Sequence, residues 1–101
     1  MKSFSPESFK KRQQEFILLD VREPHEVEYA RIDPHIHIPM AAIPIRRNEL
    51  KKESPIVVIC RTGVRSAQVC HYLQQQGYDV TNLEGGIDAW SRLVDPSVRR
   101  Y

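Results

Sequence analysis

Only two cysteines, four glycines and one tryptophan occur in the 101 residues, and no apolar run approaches the length of a membrane span. The lack of such a run leaves no candidate for a transmembrane helix. The amino terminus has no charged stretch leading into an apolar one, so no signal peptide is read there. Two cysteines without an export signal point to a reducing, cytoplasmic setting in which a thiol stays free. Cys60 ends a predicted strand and Cys70 sits within a predicted helix, so a structural disulfide between them is not expected. Charge of one sign is also missing: 15 Lys and Arg stand against 13 Asp and Glu, a net of +2. The basic residues are scattered rather than striped, which leaves no electrostatic footprint for nucleic acid. There is no internal repeat and no low-complexity stretch. The length suits one hydrophobic core, so a single domain over residues 1–101 is expected.

What is present is a regular alternation of strand and helix signals. Ser5-Pro6 opens a helix to about Gln14, with serine as cap and proline where its missing N–H costs nothing. Phe16 to Val21 is a short apolar run of the kind found in strands covered on both faces. Pro24 starts a helix through Ala30, Ile36 and Ile38 mark a brief strand, and Ala42 to Leu50 reads as a weaker helix. Pro55-Ile56-Val57-Val58-Ile59-Cys60 is the strongest strand and Val64 to Gln76 the strongest helix, closed by Gly77. Tyr78 to Leu83 gives another strand, Ile87 to Leu93 a last helix, and a polar tail follows Pro96. Strands separated by helices imply parallel neighbours and right-handed crossovers. In such sheets ligands bind at the carboxyl ends of the strands, where Asp20-Val21-Arg22, Cys60 and Glu84-Gly85-Gly86 all fall.

The sequence CRTGVRS, residues 60–66, follows the strongest strand. A cysteine at that point lies beneath helix N-terminal amides that have no intrahelical partner, and these form an anion site. Gly63 permits positive φ, so that consecutive amides can converge. Arg61 and Arg65 add fixed charge and forked donors suited to oxyanions. The same field lowers a thiol pKa and raises the thiolate fraction at neutral pH. The plainer reading is a buried cysteine beside an ordinary turn, since Thr, Gly and Ser are common turn residues. Two arginines flanking the thiol have no purpose in that reading.

CRTGVRS resembles the active-site loop of rhodanese-type sulfurtransferases. LLDVREPHEVEYA is similar to that family's D-V-R-x-x-x-E segment, and LEGGIDAW to its closing motif, so the likeness runs from about Ser5 to Trp90. It implies an α/β fold: a small, mostly parallel sheet of four or five strands with helices on both faces. It also implies sulfur transfer without a cofactor or metal. Cys60 is then the nucleophile that takes the outer sulfur of a thiosulfate-like donor or of a cysteine desulfurase persulfide. The resulting persulfide is cradled by Arg61, Thr62, Gly63, Val64, Arg65 and Ser66, with Arg61 and Arg65 on the donor oxyanion. A ubiquitin-like sulfur-carrier protein or thioredoxin is the implied acceptor class. The carrier protein is suggested by the tail GGIDAWSRLVDPSVRRY, which is similar to rhodanese domains fused behind adenylating enzymes. Where many members have a G-H-I-P-G-A-like stretch, this chain has ARIDPHIHIPMAAIP, without either glycine.

Cysteine-dependent phosphatases share the cysteine–arginine cradle but space it C-x5-R; here the spacing is C-x4-R, a tighter ring better suited to one sulfur atom. A non-enzymatic interaction module and a redox-sensing thiol are the other readings. Asp20 and Arg22 either tune the cleft from the neighbouring strand end or form a structural ion pair. His35 and His37 lack a third ligand and are expected to be exposed edge residues. Cys70 shares a helical face with Ser66, Val69 and Leu73 and is expected in the core. Gly85-Gly86 allow a tight turn, and Trp90 is a packing anchor.

Overall fold

A computed structural model describes residues 1–101. In chain order the elements are β1 (Lys2–Phe4), α1 (Pro6–Arg12), β2 (Ile17–Asp20), α2 (Pro24–Tyr29), β3 (Ile36–His37), α3 (Ile43–Arg46), β4 (Ile56–Ile59), α4 (Val64–Gln75), β5 (Val80–Leu83) and α5 (Gly86–Leu93). Single 3-10 turns follow α1 and flank α3. The five strands form one sheet in the order β1-β5-β4-β2-β3, and every neighbouring pair is parallel.

Local sequence explains most boundaries. Ser5 caps α1 by accepting the Ser8 N–H at 3.2 Å, and Pro6 occupies the first turn. Lys10, Lys11 and Arg12 complement the negative end of that helix. Pro24 opens α2, and Glu26 reaches back to accept the Glu23 N–H at 2.9 Å. The uninterrupted apolar run of β4 reflects burial on both faces. Ile56, Val58 and Cys60 pack with Ile43, Val69, Cys70 and Leu73 on the side of α3 and α4. Val57 and Ile59 pack with Phe9, Ile87 and Trp90 on the side of α1 and α5.

Three details differ from the pattern in the sequence. Lys2-Ser3-Phe4, too short and polar to read as a strand, pairs with Thr81 to Leu83 at the sheet edge. The helix expected over 42–50 is broken into α3 and its flanking 3-10 turns. The residues after α5 are not a loose polar tail. The Ser91 hydroxyl donates to the Val98 carbonyl at 2.5 Å, Val94 and Val98 pack on the α1/α5 core, and Arg100 pairs with Asp88 at 3.1 Å. This strap delivers Tyr101 to the carboxyl edge of the sheet. Because the strands are all parallel, the residues after β2, β4 and β5 meet at that edge.

Candidate active site

Cys60 follows the last residue of β4 and is buried; the chain then bends through Arg61, Thr62 and Gly63 into α4. Gly63 has φ +101°, and a Cβ there would lie 3.3 Å from the Gly85 amide nitrogen. Both facts favour glycine. This conformation lets the Gly63 N–H donate to Cys60 Sγ at 3.0 Å, while the Ser66 hydroxyl lies 3.3 Å from the same sulfur. Burial by itself pushes the Cys60 thiol up. Hydrogen bonds from the Ser66 hydroxyl and from the amides of Ser66, Gly63 and Thr62 outweigh it and hold the pKa below the ordinary thiol value. The side chain is therefore biased toward thiolate.

The Thr62 amide faces the sulfur because α5 holds the carbonyl of the same peptide. The Ile87 N–H donates to Cys60 O at 2.9 Å and the Asp88 N–H to Arg61 O at 3.0 Å. In a trans peptide the N–H points opposite the C=O, so this grip turns the Arg61 and Thr62 amides away from α5. The approach leaves no room for a side chain at Gly86. Its φ is +60°, and a Cβ would fall 2.4 Å from Arg61 O and 2.5 Å from Cys60 O. The GG pair thus does more than turn the chain: it brings the first amides of α5 against the thiol loop.

A further residue, Asn82 on β5, carries no signal in the sequence, where it is one asparagine inside a strand. Its Oδ1 accepts from the Ser66 hydroxyl at 2.6 Å and its Nδ2 donates to Gly63 O at 3.2 Å. Ser66 has one hydroxyl proton to share between Asn82 and the sulfur. The shorter contact is to Asn82, which holds the serine oxygen beside Sγ. Replacing Ser66 with alanine removes one donor from the sulfur. Alkylation of Cys60 by iodoacetamide at neutral pH should then slow roughly three- to ten-fold. A matching upward shift in the midpoint of its pH–rate curve is expected, and an unchanged curve would show that the amides alone set the thiolate.

Behind the loop lies an ionic cluster. Arg22 is the largest fully buried side chain, and its Nη2 donates to Asp20 Oδ2 at 2.7 Å and to Ala30 O at 2.6 Å. Its Nε donates to Asp20 Oδ1 at 3.0 Å, and its Nη1 donates to Tyr101 Oη at 2.8 Å. The Asp20–Arg22 pair, with side chains 3% and 0% exposed, is therefore a buried ion pair that joins β2, the end of α2 and the strap. Arg65 directs both terminal nitrogens onto Glu26, at 2.8 and 2.9 Å, rather than leaving that fork open to a donor. Arg61 is exposed, forms no ion pair with any carboxylate, and places its guanidinium 4.8 Å from the centre of the Tyr101 ring. Thr62 and Val64 are exposed at the loop surface, and Ser66 is buried beneath it.

Comparison with known proteins places this geometry. The profile of the rhodanese-like domain matches residues 5–93. The chain belongs to the rhodanese-like family of sulfurtransferases. A sulfurtransferase of Allochromatium vinosum is 46% identical over 86 residues, covering 84% of this chain and 80% of that protein. A rhodanese-related protein from Thermoplasma volcanium superposes with a TM-score of 0.92 at 30% identity, over 100% of each chain. The adenylyltransferase and sulfurtransferase MOCS3 of Arabidopsis thaliana is 29% identical over an alignment that covers 89% of this chain and 23% of that protein.

The two histidines of this rhodanese-like chain that alternate along β3 and its approach have local partners. His35 and His37 are half-buried rather than exposed: their rings sit 3.1 Å from Ile32 O and 2.7 Å from Arg22 O. No group of three or more His, Cys, Asp or Glu side chains is arranged to hold a metal ion. Cys70 is buried among Val69 and Leu73, and burial pushes its thiol up to about 12, so it stays a protonated core residue. Glu26, which closes the D-V-R-x-x-x-E segment, is the residue whose role the sequence left unread. The Arg65 guanidinium, helped by the Glu23 amide and the Tyr101 hydroxyl, lowers its carboxyl from 4.5 to about 2 against the opposing effect of burial. Because the folded value is the lower one, the stabilisation is complete above pH 4.5 and drains away as pH falls toward 2. Arg65 is one-third exposed, so screening trims the effect, and Glu26→Gln should cost about 1–2 kcal/mol at neutral pH. Urea unfolding at pH 7 and pH 3 checks this, with the difference between the two proteins shrinking at the lower pH.

Proposed function

We propose that this protein moves a sulfane sulfur from a small anionic donor such as thiosulfate to a thiophilic acceptor through a persulfide on Cys60. The observation that carries the reading is a buried sulfur that accepts from the Gly63 amide at 3.0 Å and has the Ser66 hydroxyl at 3.3 Å. The thiolate attacks the outer sulfur of thiosulfate; a sulfur–sulfur bond to Cys60 forms as the bond to the sulfonate sulfur breaks. Sulfite leaves with the bonding electron pair. The acceptor, a thiolate or cyanide, then attacks the terminal sulfur and the Cys60 thiolate departs. The loop donors that favour the thiolate also favour the terminal persulfide anion. The positive end of α4, above the cysteine, adds to the same field. The likeness of most of the chain to part of an adenylyltransferase and sulfurtransferase supports a sulfur-carrier protein as acceptor.

The phosphatase alternative needs a guanidinium facing the centre of the loop ring. Arg65, the only arginine at a comparable spacing, has both terminal nitrogens on Glu26. This favours sulfur over phosphate. Thiosulfate-dependent conversion of cyanide to thiocyanate should be lost in Cys60→Ser. In the wild type, kcat/KM for thiosulfate, which reports the free thiol rather than the ionisation of cyanide, should rise with pH to a plateau reached below the ordinary thiol range. Turnover that survives in Cys60→Ser would remove the cysteine from the mechanism.

A further inference from the structure

The strap after α5 has no part in the loop chemistry above, yet it ends beside it. We propose that Tyr101 is a positioning residue that holds the Arg61 guanidinium at the mouth of the Cys60 loop, so that Arg61 is the arginine that receives the oxyanion end of a sulfur donor. This assignment rests on the sulfur-transfer reading for the identity of the donor, but not for the placement of charge.

Two arginines flank the thiol, and the structure separates their tasks. Arg65 is neutralised by a two-pronged contact with Glu26 and is fixed as a brace between α2 and α4. Arg61 has no carboxylate partner and is exposed, so its charge is the one the loop leaves open to a ligand. An exposed arginine on a flexible stem is a poor anion receptor until it is ordered. Tyr101 supplies that order. The Arg61–Tyr101 stacking distance of 4.8 Å is shorter than that of the other cation–ring contacts in the molecule, which lie between 5.3 and 5.8 Å.

The ring is itself held from several sides. Its hydroxyl donates to Glu26 Oε1 at 2.9 Å and accepts from Arg22 Nη1 at 2.8 Å. Tyr29 meets it edge-on at 5.9 Å, and the strap that carries it is pinned by the Ser91–Val98 and Arg100–Asp88 contacts. The same Glu26 that occupies Arg65 therefore also anchors the platform on which Arg61 lies. The result is an open cleft of about 400 Å³ lined by His25, Glu26, Tyr29, Arg61, Arg65 and Tyr101, with one unpaired guanidinium. Ring and charge form one receptor: the tyrosine face attracts the cation, and the cation remains free to attract an anion.

Alkylation of Cys60 by iodoacetate and by iodoacetamide tests this without requiring turnover. Both reagents report on the same thiolate, so their rate ratio cancels changes in folding or pKa and reads the positive field at the mouth. Arg61→Ala should lower the iodoacetate to iodoacetamide ratio about five-fold. Tyr101→Leu should bring it to within about two-fold of the Arg61→Ala value, whereas Tyr101→Phe, which keeps the ring, should stay within about two-fold of wild type. Adding Tyr101→Leu to Arg61→Ala should change the ratio no further. In thiosulfate turnover, Tyr101→Leu should raise KM while leaving kcat. A wild-type ratio in Tyr101→Leu or in Arg61→Ala, a Phe variant as low as Leu, or an equal drop from Tyr101→Leu in both backgrounds would overturn the proposal. If thiosulfate is not a substrate at all, the ratios still decide the role of Tyr101, and the two ideas fail separately.

Discussion

Replacing Gly86 with alanine should destabilise the protein by about 3 kcal/mol or more and slow Cys60 alkylation about 100-fold. Part of the effect is conformational, since φ is +60° and an L side chain is strained there. The larger part is overlap. The new Cβ would stand 2.4 Å from Arg61 O and 2.5 Å from both Cys60 O and the Arg61 carbonyl carbon, all backbone atoms that no rotamer change can move. Relief requires α5 to withdraw, which breaks the Ile87 and Asp88 amide contacts and frees the Cys60 and Arg61 peptides to rotate. Stability and thiol reactivity should therefore fall together. Urea unfolding followed beside iodoacetamide kinetics checks both. A variant with lower stability but wild-type thiol kinetics would show that the α5 contacts do not orient the loop.

Arg22→Met should cost about 3–5 kcal/mol, a large part of the stability of a domain this size. The substitution leaves the Asp20 carboxylate buried without its guanidinium and removes donors from Ala30 O, Glu26 O and Tyr101 Oη. The penalty comes mainly from the stranded charge, so Asp20→Asn combined with Arg22→Met should be more stable than Arg22→Met alone. Equal stability of the single and double variants in urea titrations would assign the loss to packing instead.

The division between what was legible in the sequence and what was not follows the range of the interactions. β4 and α4 stand out because β-branched runs, helix periodicity and a Gly63 bend are local, and the cradle around Cys60 lies within one continuous segment. The parallel order of strands follows from alternation, and with it the meeting of Asp20, Cys60 and Glu84 at one edge. Contacts made across the sheet had no such signal. Asn82 touches the loop from β5, Glu26 takes Arg65 from 39 residues away, and Tyr101 reaches Arg22 across 79. Charge patterning identified two arginines beside the thiol but not their partners, Glu26 for Arg65 and the Tyr101 ring for Arg61. The tail after Pro96 looked polar because its apolar residues, Val98 and Tyr101, are too few to show a period, yet with Val94 they pack on the α1/α5 core. β1 escaped notice for a similar reason: a three-residue edge strand takes its stability from β5, not from its own composition.

The most direct test of the account is the intact mass of the protein after incubation with thiosulfate and removal of excess reagent. The account predicts a gain of one sulfur atom, reversed by cyanide, absent in Cys60→Ser and retained when Cys70 is replaced by alanine. A protein whose mass is unchanged by thiosulfate and by a persulfidated cysteine desulfurase alike, or one whose added sulfur survives in Cys60→Ser, would contradict it.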